Sequence, residues 1–463
     1  MSAPAIYARS GVRVTEALGA WTSALQFDAI PADVIARAKL YLLDALGCGL
    51  YGSQQPWGVI AAKTATLFGG RDATLFGQKS RAGVADAALA NGTAIHGFEI
   101  DDVHVSSSLH PGAVTIPAVL AAAEQRGASG AQCLAAIIAG YEAGIRVGIC
   151  AGISHSTSGY HVTGTVGTIA SSAAIASVLT LDARAAAHAI AIGATQAAGL
   201  YAARLGAMAK RFHAGRAAQS GVIAAYLAEG GFTGSDVAIE APFGGFMSTL
   251  HGHSDPATIL DELGERWETA QVGFKVYAAC ASAHTTVDAL DQMMKQGLTA
   301  TRVARLRIGL SKKGFTNIGW AYAPTEVVSA QMNGYYTAAV KLLDGDAFVD
   351  QYQPERIAAP DVLALIEKIE IFHDAELDAG GAPKRHTAHV KAQLTDGSEM
   401  ERRIEHRLGS TQHPVGPEVV RAKFMRLASS VLGGGTAERI VEWVDNIEHA
   451  DNLQPLFLML SVA

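Results

Sequence analysis

One stretch of this chain limits its possible folds more than any other feature: residues 147–181 contain no Asp, Glu, Lys or Arg. A helix that meets water needs a polar face, so such a stretch must be buried on most sides. Charged residues are scarce in the whole chain as well, at 17%, against roughly 25% in an average soluble domain. The most apolar window, 162–181, is diluted by Thr, Ser and Gly, whereas a membrane span needs about 20 mainly apolar residues. We therefore expect a helix buried within a large protein, and no membrane segment.

The periodicity of the sequence changes near residue 270. Before that point, Ala-rich segments predict helices at about 31–46, 82–98, 115–126, 129–150, 162–179, 182–200 and 214–229. After it, alternation of apolar and polar residues predicts strands at 302–310, 366–372, 385–394 and 399–405, with helices at about 279–296 and 333–344 between them. The turn Thr395-Asp-Gly-Ser, which joins the last two strands, is a hairpin signal.

These patterns predict a mainly α protein, in which a large all-α helical domain carries an inserted, smaller α+β lid domain. The helical domain is expected to comprise residues 1–269 and 409–463, because the pattern returns to helix after the last strand. The lid domain is expected to comprise residues 270–408. Ligand sites prefer domain interfaces, so a cleft between the two is the expected place for chemistry.

Charge and cysteine content narrow the class of partner. A net charge of −7, with 36 Lys and Arg against 43 Asp and Glu, argues against a nucleic-acid binder, which needs a basic face. An anionic substrate would then depend on a local group of cations. The opening residues lack a secretory signal, and the four cysteines show no metal spacing, which is typical of a cytoplasmic protein. No nucleotide-binding or zinc motif is present, so we expect neither a cofactor nor a metal.

The densest group of titratable residues lies between two apolar predicted helices. The run from 98 to 112 places three acids and two imidazoles within a dozen residues: Glu99, Asp101, Asp102, His104 and His110. A solvated surface loop would explain such a run without any function. Because the flanking helices look fully buried, the run can instead enter a cleft, where a carboxylate beside an imidazole tunes a general base.

Three further motifs supply an imidazole and cations. Gly159-Tyr-His-Val-Thr-Gly164 indicates a helix start that is open to an anion at Tyr160 and His161, although a lone His on an apolar helix is also a common core residue. Lys210 lies in a cationic segment that an exposed helix start would equally explain. Lys275 stands where the two predicted domains join, so it can complete a carboxylate clamp from the second domain.

Taken together, the order and spacing of these motifs resemble the MmgE/PrpD family over about residues 30–345. The resemblance rests on several short motifs in order: Asp101-Asp-x-His…His-Pro-Gly112, Gly140-Tyr-Glu142, Gly159-x-His-x-Thr-Gly164, Met208-x-Lys210, Gly231-Phe-Thr-Gly234 and Lys275-x-Tyr-x-x-Cys-x-x-x-His284. It implies a helical domain with a lid domain, a homodimer, and no metal or organic cofactor. The family includes 2-methylcitrate dehydratase, iminodisuccinate epimerase and cis-aconitate decarboxylase.

These activities share one chemical problem, because each creates or quenches a carbanion beside a carboxylate of a small polycarboxylate. By resemblance, Asp102 and His110 belong to the acid–base loop, and His161 donates to a carboxylate or moves the proton. Lys210 then binds a carboxylate, and Lys275 approaches from the lid. The remaining members of the motifs, which we expect to contact substrate, are Glu99, Asp101, His104 and Tyr160.

The sequence departs from the decarboxylase pattern at three positions. Glu99 stands where the decarboxylase has Asp, Val103 where it has Thr, and Cys280 where it has His. These differences favour a cofactor-independent lyase or isomerase other than a decarboxylase. A 2-methylcitrate dehydratase-like enzyme is the first expectation, and an iminodisuccinate epimerase-like isomerase is the alternative. A non-catalytic, ligand-binding member of the family remains a third possibility.

Overall fold

The computed structural model describes residues 11–204, 207–250, 255–381 and 384–462, and most of them are helical. The first half contains α1 (Val14–Ala24), α2 (Ala32–Ser53), α3 (Pro56–Leu67), α4 (Val84–Ile95), α5 (Pro111–Arg126), α6 (Gly130–Thr157), α7 (Val162–Val178), α8 (Ala183–Ala194), α9 (Ala209–Glu229) and α10 (Phe246–Thr249). The second half contains α11 (Ala281–Met294), α12 (Lys312–Ile318), α13 (Val327–Gln331), α14 (Gly334–Asp344), α15 (Pro354–Ile357), α16 (Pro360–Ile366), α17 (Pro417–Leu432), α18 (Gly434–Asp445) and α19 (Gln454–Leu460).

The uncharged stretch forms the centre of the helical region. Helix α7 is buried along nearly its whole length and packs against α5, α6, α8 and α9. Small residues let these axes approach closely: a Cβ atom at Gly140 would lie 2.6 Å from Thr115 and 2.8 Å from Ala174. Among the described residues, α6 alone is long and apolar enough to cross a membrane, and 94% of its most apolar window is buried inside the protein.

The strands form one small sheet in the C-terminal half and a short two-stranded ribbon in the first half. The ribbon pairs β1 (Ala73–Thr74) with β2 (Arg81–Ala82), and the sheet consists of β3 (Val303–Leu310), β4 (Ile369–His373), β5 (Ala388–Leu394) and β6 (Glu399–Ile404). The strand order in the sheet is β4-β3-β5-β6. Strand β3 runs parallel to β4 and antiparallel to β5, and β5 and β6 form the predicted hairpin.

The fold class is therefore confirmed at the level of a mostly helical protein with a small sheet in its C-terminal region. The chain after the sheet returns to helix, and α17 packs against α2 of the first half. The exact domain boundaries at 269 and 409 stay predictions. The predicted strand 366–372 begins late, at Ile369, because Pro360 starts a helix that runs to Ile366. The sequence patterns also missed α1 and α3.

Candidate active site

The acidic run connects α4 to α5 and is buried. A single 3-10 turn, His96–Phe98, follows α4, and Glu99 then takes a left-handed backbone conformation with φ of 59°. The chain enters α5 at Pro111, which suits the first position of a helix. Glu99, Asp101 and Asp102 are all buried, so the solvated-loop interpretation does not apply. Buried carboxylates must be paired, because an isolated buried charge is costly.

Asp101 is held between two imidazoles. Its Oδ2 atom lies 2.7 Å from Nδ1 of His96 and 3.2 Å from Nδ1 of His110. Burial alone would raise the pKa of Asp101, but the two imidazoles and Lys275 hold it well below its usual range. Asp101 is thus a charged carboxylate beside His110, where its charge can stabilise the protonated form of that ring.

Glu99 is held between two lysines. Lys210 Nζ contacts Glu99 Oε1, and Lys275 Nζ lies 3.4 Å from Glu99 Oε2 and 3.7 Å from Asp101 Oδ1. Burial raises the pKa of Glu99, yet Lys210 and Lys275 more than offset this and leave it well below its usual range. The two lysines predicted from separate motifs therefore meet at one point, where two acids balance their charge.

Two neutral imidazoles, those of His161 and His213, lie near these charges. His161 caps the N-terminus of α7, and its Nδ1 atom lies 3.1 Å from Nδ1 of His213 on α9. Burial lowers the pKa of His161 well below its usual range, and Lys210 lowers it further. The same two causes lower the pKa of His213. Both rings are therefore neutral near pH 7, and His161 can donate a hydrogen bond to a carboxylate without carrying a charge.

These groups surround a small cavity of about 100 Å³. The residues predicted from sequence that line it are Glu99, His110, Tyr160, His161, Lys210 and Lys275. Residues that line it without having been predicted as site residues include Tyr201, Lys313, Asn317, Met332, Arg385 and His386. Cys280, at the start of α11, lies in the same wall. Asp101 does not line the cavity itself but contacts two residues that do, His110 and Lys275.

Besides Asp101, two predicted residues, Asp102 and His104, do not line this cavity, and neither contacts it through His110 or Lys275 as Asp101 does. Asp102 accepts hydrogen bonds from the Tyr141 hydroxyl at 2.6 Å and from the Gly112 amide at 3.0 Å. Burial raises the pKa of Asp102 to about 8. His104 lies 3.0 Å from the Ser107 hydroxyl and lines a different cavity of about 270 Å³. The structure thus assigns Asp102 a position behind the site, not in it.

Sequence reasoning missed three groups of the site. His96 supports Asp101, and its position directly before the acidic run was the available signal. His213 follows Lys210 by three residues in α9, a spacing that places both on one helix face. Arg385 comes just before β5, and no local motif distinguished it from an ordinary surface residue.

The pair of imidazoles on Asp101 raises the question of a metal ion. Ligand atoms of His96, Asp101 and His110 all lie within 4.8 Å of one another, close enough to hold a cation. However, Lys210 Nζ lies 3.4 Å from the other ring nitrogen of His96, and Lys275 Nζ lies 3.7 Å from Asp101. Two ammonium groups at this distance repel a divalent cation, so the geometry favours proton transfer over metal binding.

The fold and the site together define a class of protein. Its members are mostly helical with a small C-terminal sheet, and they bury paired acids, lysines and imidazoles at one cavity. The chain belongs to the MmgE/PrpD family, because it matches the MmgE/PrpD N-terminal domain over residues 16–258 and the MmgE/PrpD C-terminal domain over residues 277–449. The family resemblance seen in the motifs is thereby confirmed.

Curated relatives are similar along nearly the whole chain. The cis-aconitate decarboxylase-like protein oryM of Aspergillus oryzae is 31% identical over 97% of both chains. A cis-aconitate decarboxylase of Aspergillus terreus is 29% identical over 98% of this chain and 96% of its own. The cis-aconitate decarboxylase of Homo sapiens is 27% identical over 96% of this chain and 94% of its own. These names support neither the dehydratase nor the epimerase expectation specifically.

Proposed function

We propose that this protein is a lyase that acts on a small tricarboxylate by moving a proton at a carbon atom next to a carboxylate. The observation that carries the proposal is the His110–Asp101 pair, with a contact of 3.2 Å, at a cavity that also holds Lys210 and Lys275. An imidazole beside a buried, charged carboxylate is a competent proton donor or acceptor, because the carboxylate stabilises its protonated form.

The remaining groups match the charge that such a reaction develops. Breaking a C–H or C–CO₂ bond beside a carboxylate leaves an electron pair that spreads onto the carboxylate oxygens, and fixed donors stabilise it. Lys210 and Lys275 provide positive charge at one side of the cavity, and neutral His161 provides an N–H donor at another. Substrate carboxylates would share the two lysines with Glu99.

Decarboxylation of an unsaturated tricarboxylate such as cis-aconitate is the first reaction to test, because the named relatives carry that activity in their names. In that reaction the bond between the methylene carbon and its carboxylate breaks and CO₂ leaves. The freed electron pair forms a new C=C bond at the methylene carbon. The former alkene carbon takes up one proton, which we assign to His110.

Dehydration of a hydroxy tricarboxylate such as 2-methylcitrate is the second candidate. The presence of Cys280 in the wall of the cavity favours this reaction, because the sequence departs from the decarboxylase pattern at that position. In this reaction His110 would remove a proton from the carbon beside a carboxylate, and hydroxide would leave from the next carbon as the new C=C bond forms. The hydroxide would take the proton from the protonated His110 and so be released as water.

The two candidates are separated by one substrate panel in D₂O. The enzyme is incubated with cis-aconitate, 2-methylcitrate, citrate and iminodisuccinate, and the products are followed by proton NMR. Loss of CO₂ with one deuteron in the product supports the decarboxylase, and loss of water supports the dehydratase. Exchange without net conversion would instead support an epimerase. Binding of all four compounds without exchange or conversion would contradict the proposed lyase.

A further inference from the structure

A larger outer cavity of about 720 Å³ adjoins the inner cavity, because the two share lining residues. Four residues line both spaces and so form a neck between them: Ser156, Tyr201, Lys313 and Arg385. The outer cavity is bounded by α12, by residues before β5, and by the C-terminal end of α6. A substrate that enters from this side must pass the neck before it reaches His110.

Three cations surround this neck. Arg385 is buried, and its Nη2 atom donates to the Val105 carbonyl at 2.5 Å and contacts the Ser108 hydroxyl at 3.2 Å. The Arg204 guanidinium lies 4.9 Å from the centre of the Tyr201 ring, and Lys313 Nζ lies 5.7 Å from the same ring. The three side chains therefore come from different parts of the chain and converge on one tyrosine or its neighbours.

The positive charge at the neck is not balanced by an acid. In the described parts of the chain, no carboxylate forms an ion pair with Arg204, Lys313 or Arg385, and the strongest polar contacts of Arg385 are to a carbonyl and a hydroxyl. Asp378 also lines the outer cavity, but it is engaged by His373 at 2.7 Å and by the Lys312 amide at 2.8 Å.

The electrostatics of the neck differ from those of the inner cavity. Burial lowers the pKa of Lys313, and the nearby cations Arg385 and Arg204 lower it further. By contrast, Lys210 and Lys275 each contact Glu99. Partly buried cations that repel one another are costly unless an anion joins them. The neck is therefore complementary to a negatively charged group of the ligand.

We propose that Arg385 and Lys313 bind the substrate carboxylate that lies farthest from the reacting carbon, and that they select tricarboxylates over dicarboxylates. This inference rests on the proposed function for its substrate class. The inner lysines and imidazoles can hold two neighbouring carboxylates, and a third then reaches the neck. Arg385 uses Nη2 for Val105 and Ser108 and Nε for His386, so Nη1 is the atom from which it can donate a charge-assisted hydrogen bond to a carboxylate.

Binding of unreactive compounds tests the inference separately from turnover. Isothermal titration calorimetry of the full chain compares tricarballylate, a saturated tricarboxylate, with succinate, which has two carboxylates on neighbouring carbons. Each of Arg385→Gln and Lys313→Gln should weaken tricarballylate binding by about 10- to 100-fold, the range for losing a hydrogen bond to a charged group. Succinate binding should change by less than about threefold.

The matched control is Arg305→Gln, which removes one positive charge from an exposed position on β3 that pairs with Glu370. It should leave both dissociation constants unchanged. If Arg385→Gln does not fold, Lys313→Gln still tests the inference. Lys313 is only partly buried, so its replacement should leave the protein folded.

Equal weakening of both ligands, or no weakening of either, would overturn the inference, and so would wild-type protein that binds succinate as tightly as tricarballylate. If the wild type binds tricarballylate selectively through Arg385 but turns over no tricarboxylate, the proposed reaction is overturned and the inference about Arg385 and Lys313 stands. Where turnover is found, Lys313→Gln should raise KM and leave kcat within about threefold.

Discussion

Replacing Asp101 by Asn tests whether this carboxylate is the group that supports proton transfer. Asn keeps the size of the side chain and removes the negative charge beside His110. When His110 carries the transferred proton, it is positively charged 3.2 Å from Asp101. At this distance, with an effective dielectric constant of about 20, the attraction is worth about 5 kcal/mol. Since about 1.4 kcal/mol corresponds to a factor of ten in rate, kcat should fall by about 10³- to 10⁴-fold.

The neighbouring acid offers a matched control. Burial raises the pKa of Asp102 to about 8, so its carboxyl group is mostly protonated near pH 7. Asn keeps the hydrogen bond from Gly112, which its amide oxygen accepts, and the bond with Tyr141 is reversed so that the amide nitrogen donates to the Tyr141 oxygen. Asp102→Asn should therefore keep kcat within about tenfold of the wild type.

The assay is steady-state turnover of whichever tricarboxylate the substrate panel identifies, followed by NMR at several pH values. Thermal unfolding and circular dichroism establish that both variants fold. Loss of activity in Asp102→Asn together with retained activity in Asp101→Asn would refute the role of Asp101. The charged group beside His110 would then be irrelevant to the chemistry. Equal losses in the two variants would also count against it.

The other predictions concern the charges around the cavity. Glu99→Gln leaves Lys210 without its acid and Lys275 with only Asp101, so denaturant unfolding should show that the free energy of unfolding falls by about 3–5 kcal/mol and that added tricarballylate partly restores it. No loss would show that the lysines do not need Glu99. His161→Ala and Lys210→Ala should each lower kcat by at least about 10²-fold in folded protein, and near-normal kinetics in either would remove that residue from the site. The raised pKa of Asp102 means that the folded state holds a proton that the unfolded state has released above about pH 4. Its stabilising contribution is thus complete below that pH and is lost as the pH rises to about 8. Wild type should accordingly lose up to about 1.4 kcal/mol of unfolding free energy per pH unit relative to Asp102→Asn between pH 5 and 8, and parallel curves would contradict this.

Much of the fold could be predicted because its determinants are local. The absence of charge in 147–181 required burial, and α7 is indeed the buried centre of the helical region. The alternating segments and the turn at 395–398 were enough to place the hairpin of β5 and β6. The boundary of β4 was less predictable, because the helix that Pro360 begins extends into the predicted strand.

The candidate site was only partly predictable, because its geometry depends on distant contacts. Both Asp101 and Asp102 fitted the motif, but only the packing of Tyr141 and Gly112 shows that Asp102 points away from the cavity. Arg385 lies far from the acidic run in sequence and reaches it through the carbonyl of Val105. Spacing along one chain cannot reveal contacts of this kind.

The central claim is that His110 moves a proton at a substrate carbon inside the cavity. The most direct measurement is deuterium incorporation during turnover of cis-aconitate in D₂O, compared between wild type and a His110→Asn variant of equal thermal stability. We predict a single deuteron, placed on one face of the former alkene carbon by the wild type, and at least about a 10²-fold slower reaction in the variant. Equal rates and equal incorporation in the two proteins would contradict the assignment of His110.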